Sequence, residues 1–181
     1  MKLVTDDKGV HKEYKRLGLT ELELDSETTL IEIKSHEIIT AKYKAYYAGK
    51  DTLTESSILH YNNERDILEE QELIKNIDKY MGYEVKWTIL LGVNDGVDIK
   101  LYRGTVQGTI VKPTVEPLKG EGFEAYFVPY GSMYTLAELE TKGLKDEYSA
   151  RNKAVYLYQN NFYSYIQNVL TLSQQGGTAN V

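Results

Sequence analysis

Residues 84–112 read EVKWTILLGVNDGVDIKLYRGTVQGTIVK, and this stretch decides the fold class. The runs 84–93, 97–102 and 105–112 are rich in Val, Ile, Leu and Thr, a composition that favours strands. Residues 94–96, Asn-Asp-Gly, join the first two runs and carry the residue types that tight hairpin turns prefer. The stretch therefore predicts an antiparallel hairpin.

Upstream of this hairpin, residues 2–5 form a short apolar run that leads into a charged segment over residues 8–16. We predict a strand, a turn and a helix here. Asp6 or Asp7 can cap the start of the helix, and Gly18 can end it.

Further strands and helices alternate along the chain. Helical spacing of apolar residues predicts helices over 35–48, with Ser35 as a candidate cap, and over 64–80, 135–139 and 146–172. Short apolar runs predict strands over 22–24, 30–33, 51–60 and 123–128, and the run 30–33 is also compatible with a loop. The alternation predicts an α/β fold, a mixed twisted sheet flanked by helices. We expect a single domain over residues 1–172 and a flexible tail over 173–181.

The composition excludes several functional classes. With 27 acidic and 21 basic residues, the net charge of −6 disfavours a general nucleic-acid binder. No apolar run approaches the roughly 18 residues that a membrane helix needs. The absence of cysteine excludes thiolate catalysis and zinc-cysteine sites. We expect a soluble, cytoplasmic protein without nucleic-acid or membrane partners.

The first strand and its turn are a candidate anion site. Thr5, Asp6 and Asp7 precede a predicted helix start, where free N–H groups and the helix dipole favour a phosphate. Two carboxylates argue against a bare phosphate unless a metal ion bridges them, while Lys8 and Lys12 supply positive charge. An ordinary aspartate cap is the alternative interpretation of the same residues.

A series of short motifs runs along most of the chain in a fixed order. They are Val4 to Lys8, Glu13 and Leu17 to Leu19; Lys44 and Ala45; 53–59; Gly104 and 108–111; Gly122, Phe123, Phe127 and Pro129; Thr135 and 137–139; and Lys145, Ser149, Arg151 and Ala154. In order and spacing the chain resembles the inosine triphosphate pyrophosphatase family. These enzymes hydrolyse non-canonical purine nucleoside triphosphates to a monophosphate and pyrophosphate.

The resemblance implies an architecture and a binding site. It implies two lobes with a nucleotide cleft between them, and a homodimer. In that site Lys145 and Arg151 bind phosphate or a base carbonyl, and Phe123 and Tyr126 stack on the base. The full set of nucleotide-binding residues implied is Thr5, Asp7, Lys8, Lys12, Lys44, Ser57, Phe123, Tyr126, Lys145, Ser149 and Arg151.

The chain departs from the family pattern at residues that carry the catalytic chemistry of the family. Where the family has two adjacent carboxylates before a Ser or Thr, this chain has Glu55, Ser56 and Ser57. A serine is neither a general base near neutral pH nor an anionic ligand for a hard cation. Glu55 is therefore the remaining candidate for catalysis and for metal binding, and Mg²⁺ is expected only if the protein is catalytic.

Other family positions also differ. The amide after the first strand is Asp7, the lysine of the first helix aligns with Val10, and a histidine is replaced by Ala150. The Gly-Phe-Gly-Tyr-Asp-Pro loop is reduced to Gly-Phe-Glu-Ala-Tyr over residues 122–126.

Two functions are compatible with this pattern. The first is a nucleotide-binding protein that has lost hydrolysis and sequesters a nucleotide or a nucleotide-derived signal, with viral counter-defence as one setting. The second is an active Mg²⁺-dependent pyrophosphatase for non-canonical purine triphosphates, in which Glu55 works with relocated carboxylates. A scaffold without a small ligand is the third and least specific interpretation.

Overall fold

Strands and helices alternate along the computed structural model, which describes residues 1–118 and 121–178. The elements in chain order are β1 (Lys2–Val4), α1 (Lys8–Arg16), β2 (Glu23–Asp25), α2 (Glu37–Ala48), β3 (Thr52–Tyr61), β4 (Asp66–Ile67), α3 (Glu70–Lys75), α4 (Ile77–Tyr80), β5 (Glu84–Asn94), β6 (Asp98–Ile110), β7 (Phe127–Pro129), α5 (Leu136–Thr141), α6 (Ala150–Gln159), β8 (Tyr165–Asn168) and α7 (Val169–Thr178). Short 3-10 helices cover Gly122–Tyr126 and Lys145–Tyr148.

Within the described residues, eight strands form one mixed sheet. Its main path runs β2-β1-β3-β5-β6-β7, with β4 paired to β3 and β8 paired to β6. β1 is parallel to β2 and β3, whereas β7 and β8 are antiparallel to β6. The mixed sheet with its helices confirms the predicted α/β fold class. The hairpin of 84–102 is also confirmed, because β5 and β6 flank the turn at residues 95–97.

The chain packs into two compact units. The first contains Met1–Ser56, Leu90–Arg103 and the C-terminal segment from Ala154, and the second contains Ser57–Ile89 and Gly104–Lys153. Fully buried side chains of the first unit include Leu3, Tyr14, Leu53 and Leu101, and those of the second include Leu73, Trp87, Phe127 and Leu136. The single domain over 1–172 and the cleft between two lobes stay predictions.

The predicted strand, turn and helix at residues 2–18 are confirmed. Asp7 is the N-cap of α1, and its Oδ1 accepts hydrogen bonds from the N–H groups of Gly9 at 2.8 Å and Val10 at 3.1 Å. Gly18 follows the helix with φ of +112°, a conformation that glycine adopts without strain. The N-cap of α2 is His36 and not the predicted Ser35, so the cap lies one residue later in the chain than predicted.

The predicted helix over 64–80 is wrong in its first half. Asn62, Asn63 and Glu64 all have positive φ, so the backbone after β3 turns back on itself. β4 then pairs antiparallel with the end of β3, with Ile67 opposite His60. Helix appears only from Glu70, in two short segments. Asn residues tolerate the left-handed conformation, which explains why a turn wins over the helical spacing here.

The long closing helix over 146–172 is also wrong. α6 ends at Gln159, and Asn161 has a φ of +55°, which breaks the helix. Tyr165–Asn168 then forms β8 and pairs with the start of β6. Residues 173–178 continue α7, residues 179–181 lie outside the described residues, and the flexibility of this tail stays a prediction.

Two smaller strand predictions also differ from the structure. Residues 123–128 form a 3-10 helix up to Tyr126 and only then the strand β7. Residues 30–33 have no regular structure, as the loop interpretation predicted. Gly108 marks a close strand contact, because a Cβ added there would clash with the backbone oxygen of Val128.

No helix in the part of the chain that the structure describes is long and apolar enough to cross a membrane.

Tyr102 in β6 makes the stability of the protein sensitive to alkaline pH. Only 2% of the residue is exposed, its hydroxyl donates to Asn161 Oδ1 at 3.2 Å, and its ring meets that of Tyr158 edge-on at 5.4 Å. Burial raises the pKa of Tyr102 to about 12 from an ordinary value of 10.0. The contribution of the buried, neutral Tyr102 hydroxyl to the free energy of unfolding is therefore fully present below about pH 10, and it is lost as the pH rises through 12.

We expect Tyr102→Phe to flatten the fall in stability between pH 9 and 11.5. The phenylalanine keeps the ring but has no proton to lose in the unfolded state, so the pH-dependent loss becomes smaller. Urea unfolding at several pH values measures the free energy of unfolding, with the exposed Tyr156→Phe as the control. An equally steep fall in both variants would contradict the assignment to Tyr102.

Candidate functional site

Lys44 and Glu55 come together in the first unit. The Nζ of Lys44 in α2 donates to the backbone oxygen of Glu55 in β3 at 2.6 Å. The carboxylate of Glu55 accepts a hydrogen bond from the hydroxyl of Tyr14 in α1. Tyr14 is fully buried, and the sequence analysis did not assign it. Three separate elements thus hold the one acidic residue that remains in this part of β3.

Burial lowers the pKa of the Lys44 ammonium below its usual value. The negative charges of Glu55, Glu32 and Asp6 oppose that shift. Lys44 therefore lies in a region where carboxylates from three chain segments contribute to the field.

The carboxylates do not form a magnesium site by themselves. Among the described residues, no group of three or more His, Asp or Glu side chains converges closely enough to hold a metal ion. The residue after Glu55 is the neutral Ser56, and the Glu55 carboxylate already binds Tyr14. Mg²⁺ in nucleotide sites prefers one or two carboxylates together with phosphate oxygens. The described side chains therefore form no complete Mg²⁺ site by themselves, and binding of Mg²⁺ together with a nucleotide stays a prediction.

At the start of α1, the candidate anion site, backbone N–H groups are already bound by the N-cap residue Asp7. Asp7 Oδ1 accepts from the N–H groups of Gly9 and Val10, and Thr5 Oγ1 accepts from the N–H of Asp7 at 3.1 Å. Lys8 and Lys12 are exposed on the same helix. This geometry matches the ordinary-cap interpretation, and phosphate binding by these residues stays a prediction.

Lys145 and Arg151 come together in the second unit around one carboxylate. Lys145 Nζ lies 2.7 Å from Glu124 Oε1, and Arg151 Nη1 lies 3.5 Å from the same oxygen. The two basic residues are only 3% and 6% exposed. Lys145 belongs to the 3-10 helix before α6, Arg151 to the first turn of α6, and Glu124 to the 3-10 helix of 122–126. We call these three residues the Glu124 cluster.

Trp87 forms the apolar wall of this cluster. The guanidinium of Arg151 lies over the Trp87 ring, 5.5 Å from its centroid. The ring of Phe123 meets Trp87 edge-on at 5.4 Å, and the indole N–H donates to Ser57 Oγ at 3.0 Å. Three residues of the predicted site, Ser57, Phe123 and Arg151, thus converge on the one tryptophan of the chain. The sequence analysis missed Trp87, although a single tryptophan in a chain with 16 tyrosines was a usable signal.

Comparison with known proteins bears directly on this arrangement. The model of the Ham1 family matches residues 40–160, which is more than half of the chain and includes Lys44, Glu55 and the whole Glu124 cluster. The chain belongs to the Ham1 family. The predicted membership in the inosine triphosphate pyrophosphatase family is thereby confirmed.

A curated relative points the same way. The dITP/XTP pyrophosphatase of Hyperthermus butylicus is 36% identical over 84 residues. The match covers 46% of this chain and 41% of that enzyme, so it spans less than half the length of either protein.

Phe123 and Ser149 make structural contacts in this Ham1-family chain, and Tyr126 lies in the same 3-10 helix as Phe123 without a described side-chain contact. Phe123 is 6% exposed and packs against Trp87 and Phe127, so its ring belongs to the core of the second unit. Tyr126 is half-buried at the end of the same 3-10 helix. Ser149 is 1% exposed, and its Oγ accepts from the N–H of Asn152 at 3.3 Å at the start of α6. Contact of these three residues with a nucleotide stays a prediction.

Glu124 is the third residue that the sequence analysis missed, after Tyr14 and Trp87. It stands in the loop 122–126 at the place where the family pattern has the second glycine. A carboxylate at a glycine position, upstream of two basic residues of the site, was the signal. Only the structure shows that the carboxylate reaches both of them.

Proposed function

We propose that this Ham1-family protein binds a nucleotide through Lys145 and Arg151 and sequesters it without efficient hydrolysis. The convergence of these two buried cations on a single carboxylate oxygen carries the proposal. The two cations are only 3% and 6% exposed. Buried cations favour anionic partners, because burial of charge is costly without a partner of opposite sign.

The chemistry of the two cations suits a nucleotide. A guanidinium is a planar donor that matches phosphate and carbonyl oxygens, and a lysine ammonium acts as a compact positive charge. Arg151 is held over Trp87, and this contact restricts the plane of its guanidinium. Such restriction lowers the entropy that ligand binding costs.

The geometry around Glu55 supports the loss of hydrolysis. A general base has to be within hydrogen-bond reach of the attacking water and has to be able to accept its proton near neutral pH, which a carboxylate can do and a serine cannot. The Glu55 carboxylate accepts the Tyr14 hydroxyl, and the neighbouring Ser56 is neutral. Glu55 is therefore a single carboxylate at a place where the family pattern has two adjacent carboxylates.

A retention experiment tests the proposal. Purified protein is mixed with Mg²⁺ and a panel of canonical, deaminated and signalling nucleotides, and free nucleotide is quantified by chromatography with mass detection. The mixture is then heat-denatured and quantified again. We expect one nucleotide to disappear and to return intact. Its return as monophosphate and pyrophosphate would overturn sequestration, and complete recovery of every nucleotide before heating would overturn nucleotide binding.

An active Mg²⁺-dependent pyrophosphatase is the second candidate function. The observation that favours it is the 36% identity over 84 residues with a dITP/XTP pyrophosphatase. In this case Glu55 activates water together with carboxylates near Lys44, such as Glu32 and Asp6. Mg²⁺, when bound with the substrate, supplies charge neutralisation for the phosphates.

Glu55→Gln separates the two functions. If the protein is an enzyme, the variant should lose at least a hundredfold in turnover of ITP or XTP, because a general base contributes about 10² to 10⁴. Pyrophosphate release measures turnover, and the exposed Glu21→Gln in the same unit is the control. Turnover that survives in Glu55→Gln would remove Glu55 from catalysis, and no turnover in the wild type supports sequestration.

The remaining expectations belong to the same proposal. We expect a homodimer in the cytoplasm, with no nucleic-acid or membrane partner and a counter-defence role as one setting. The net charge of −6 supports the absence of nucleic-acid binding, and the family resemblance supports the dimer. Light scattering after size exclusion measures the mass in solution, and a monomeric mass would overturn the dimer.

A further inference from the structure

The second unit contains a cavity with a volume of about 720 Å³. It is lined by the end of β3 and the turn after it (60–64), by residues 83–86 at the start of β5, and by residue 107 of β6. Protein cavities that hold small molecules have volumes of about 300 to 1,000 Å³. The lining includes no residue of the predicted nucleotide site and no member of the Glu124 cluster. The cavity is therefore a separate candidate site.

Polar groups of the lining have hydrogen-bonding capacity that the described residues leave unused. Glu64 binds Lys86 through Oε1, and Glu84 Oε1 accepts from the hydroxyl of Tyr130 at 2.8 Å. Within the ranges that the structure describes, no donor binds Oε2 of either carboxylate. The side-chain amide of Gln107 is exposed and likewise has no partner there. The lining thus offers both acceptors and donors to a bound molecule.

The turn that forms one wall of the cavity has an unfavourable backbone conformation. Asn62, Asn63 and Glu64 have φ values of +53°, +55° and +65°. Asparagine tolerates this conformation, whereas a glutamate is strained where glycine would not be. Strained residues cluster at binding and catalytic sites. In this turn the strained glutamate supplies a carboxylate to the cavity wall.

The charges of the lining disfavour an ionic ligand. The carboxylates of Glu64 and Glu84 line the cavity together with the Lys86 ammonium, and His60 can add a second positive charge. Even a protonated His60 only balances the two carboxylates, so a phosphate meets no excess of positive charge. Among the described residues no three His, Asp or Glu side chains converge to hold a metal ion. An apolar ligand would leave the carboxylates and the Gln107 amide without partners, which is costly.

A sugar meets the remaining requirements. Each sugar hydroxyl donates one hydrogen bond and accepts others, so it can donate to a carboxylate oxygen and accept from an amide or ammonium N–H. The C–H groups of a sugar ring give it an apolar face as well. Tyr83, which is 39% exposed and lines the cavity, offers an apolar ring with a polar tip.

We propose that this cavity binds a neutral sugar, with Glu64 and Glu84 as acceptors for its hydroxyl groups. The Gln107 amide donates to the sugar from β6. This site goes beyond the proposed nucleotide binding and does not depend on it, because the two sites share no residue.

A nuclear magnetic resonance titration of the ¹⁵N-labelled protein tests the proposal. The probes are ribose, glucose and maltose as neutral sugars, pyrophosphate as an anion and spermidine as a cation. The side-chain amide resonance of Gln107 is assigned by its absence from Gln107→Ala. We expect at least one sugar to shift this resonance in the wild type to saturation. No saturable shift with any of the three sugars, or a shift with pyrophosphate or spermidine alone, would overturn the sugar site.

A pair of matched variants tests the strained carboxylate. Glu64→Ala should weaken binding of the sugar at least fivefold. Asp78→Ala is the control, because Asp78 forms a similar exposed ion pair with Lys112 at 3.0 Å in the same unit but does not line the cavity. It should bind the sugar within twofold of the wild type. Equal affinity in Glu64→Ala and the wild type would overturn the proposal, and the nucleotide retention experiment would be unaffected.

Discussion

Replacement of Arg151 by alanine is expected to lower nucleotide affinity at least tenfold, which corresponds to about 1.4 kcal/mol of binding free energy. Arg151 supplies a guanidinium that lies over the Trp87 ring, 5.5 Å from its centroid. Alanine removes the charge and the planar donor together. Isothermal titration calorimetry with the nucleotide retained in the panel experiment measures the change.

Two further variants define the role of Arg151. Lys153→Ala, two residues later on α6, removes an exposed lysine that binds the backbone oxygen of Thr105 at 3.0 Å, and it should leave affinity within twofold of the wild type. Arg151→Lys keeps the charge but loses the planar donor, and it should weaken binding by an intermediate factor. Unaltered affinity in Arg151→Ala would place the nucleotide elsewhere and overturn the proposed site. Circular dichroism shows whether each variant is folded.

Replacement of Trp87 by alanine is expected to lower the free energy of unfolding by about 3 to 5 kcal/mol. The residue is 0% exposed, so alanine leaves a cavity in the second unit. The change also removes the indole N–H that donates to Ser57 and the ring contacts with Phe123 and Arg151. Urea unfolding followed by far-ultraviolet circular dichroism measures the loss, because the variant has no tryptophan for fluorescence.

Tyr156→Ala is the matched control for this prediction. Tyr156 is an aromatic residue of α6 with 61% exposure, and its replacement should change stability by no more than about 0.5 kcal/mol. A loss below 1 kcal/mol in Trp87→Ala would contradict the packing described around the Glu124 cluster. Trp87→Phe keeps a ring but not the N–H, so it separates packing from the hydrogen bond to Ser57.

Much of the fold follows from local sequence. The turn residues between β5 and β6 require a hairpin because few other residues adopt the conformations that such turns need. Asp7 and Gly18 delimit α1 because capping and termination depend on side chains a few residues away. At these positions the outcome depends on neighbours in the chain, and the pattern predicts the structure correctly.

β8 was misjudged because it depends on a distant partner. It lies in a segment with helical spacing, yet it pairs with the start of β6, where Asp98 is opposite Asn168. Sheet hydrogen bonds with a strand far away in the chain outweigh the weak preference of a short segment for helix. The pairing of residues 66 and 67 with the end of β3 is local by contrast, because it follows the turn at Asn62 and Asn63, whose signal the helical spacing masked.

The site shows the same division. Sequence alone determined the family and the α/β class and singled out Lys145 and Arg151 as candidate binding residues, because motif order and residue type are visible in one dimension. Only the tertiary structure decided that Glu124 contacts both cations, that Trp87 lies beneath Arg151 and that Tyr14 holds Glu55. Arg151 and Glu124 lie 27 positions apart in the sequence, and Tyr14 and Glu55 lie 41 positions apart. Such partners are set by how sheet and helices pack, which no local pattern records.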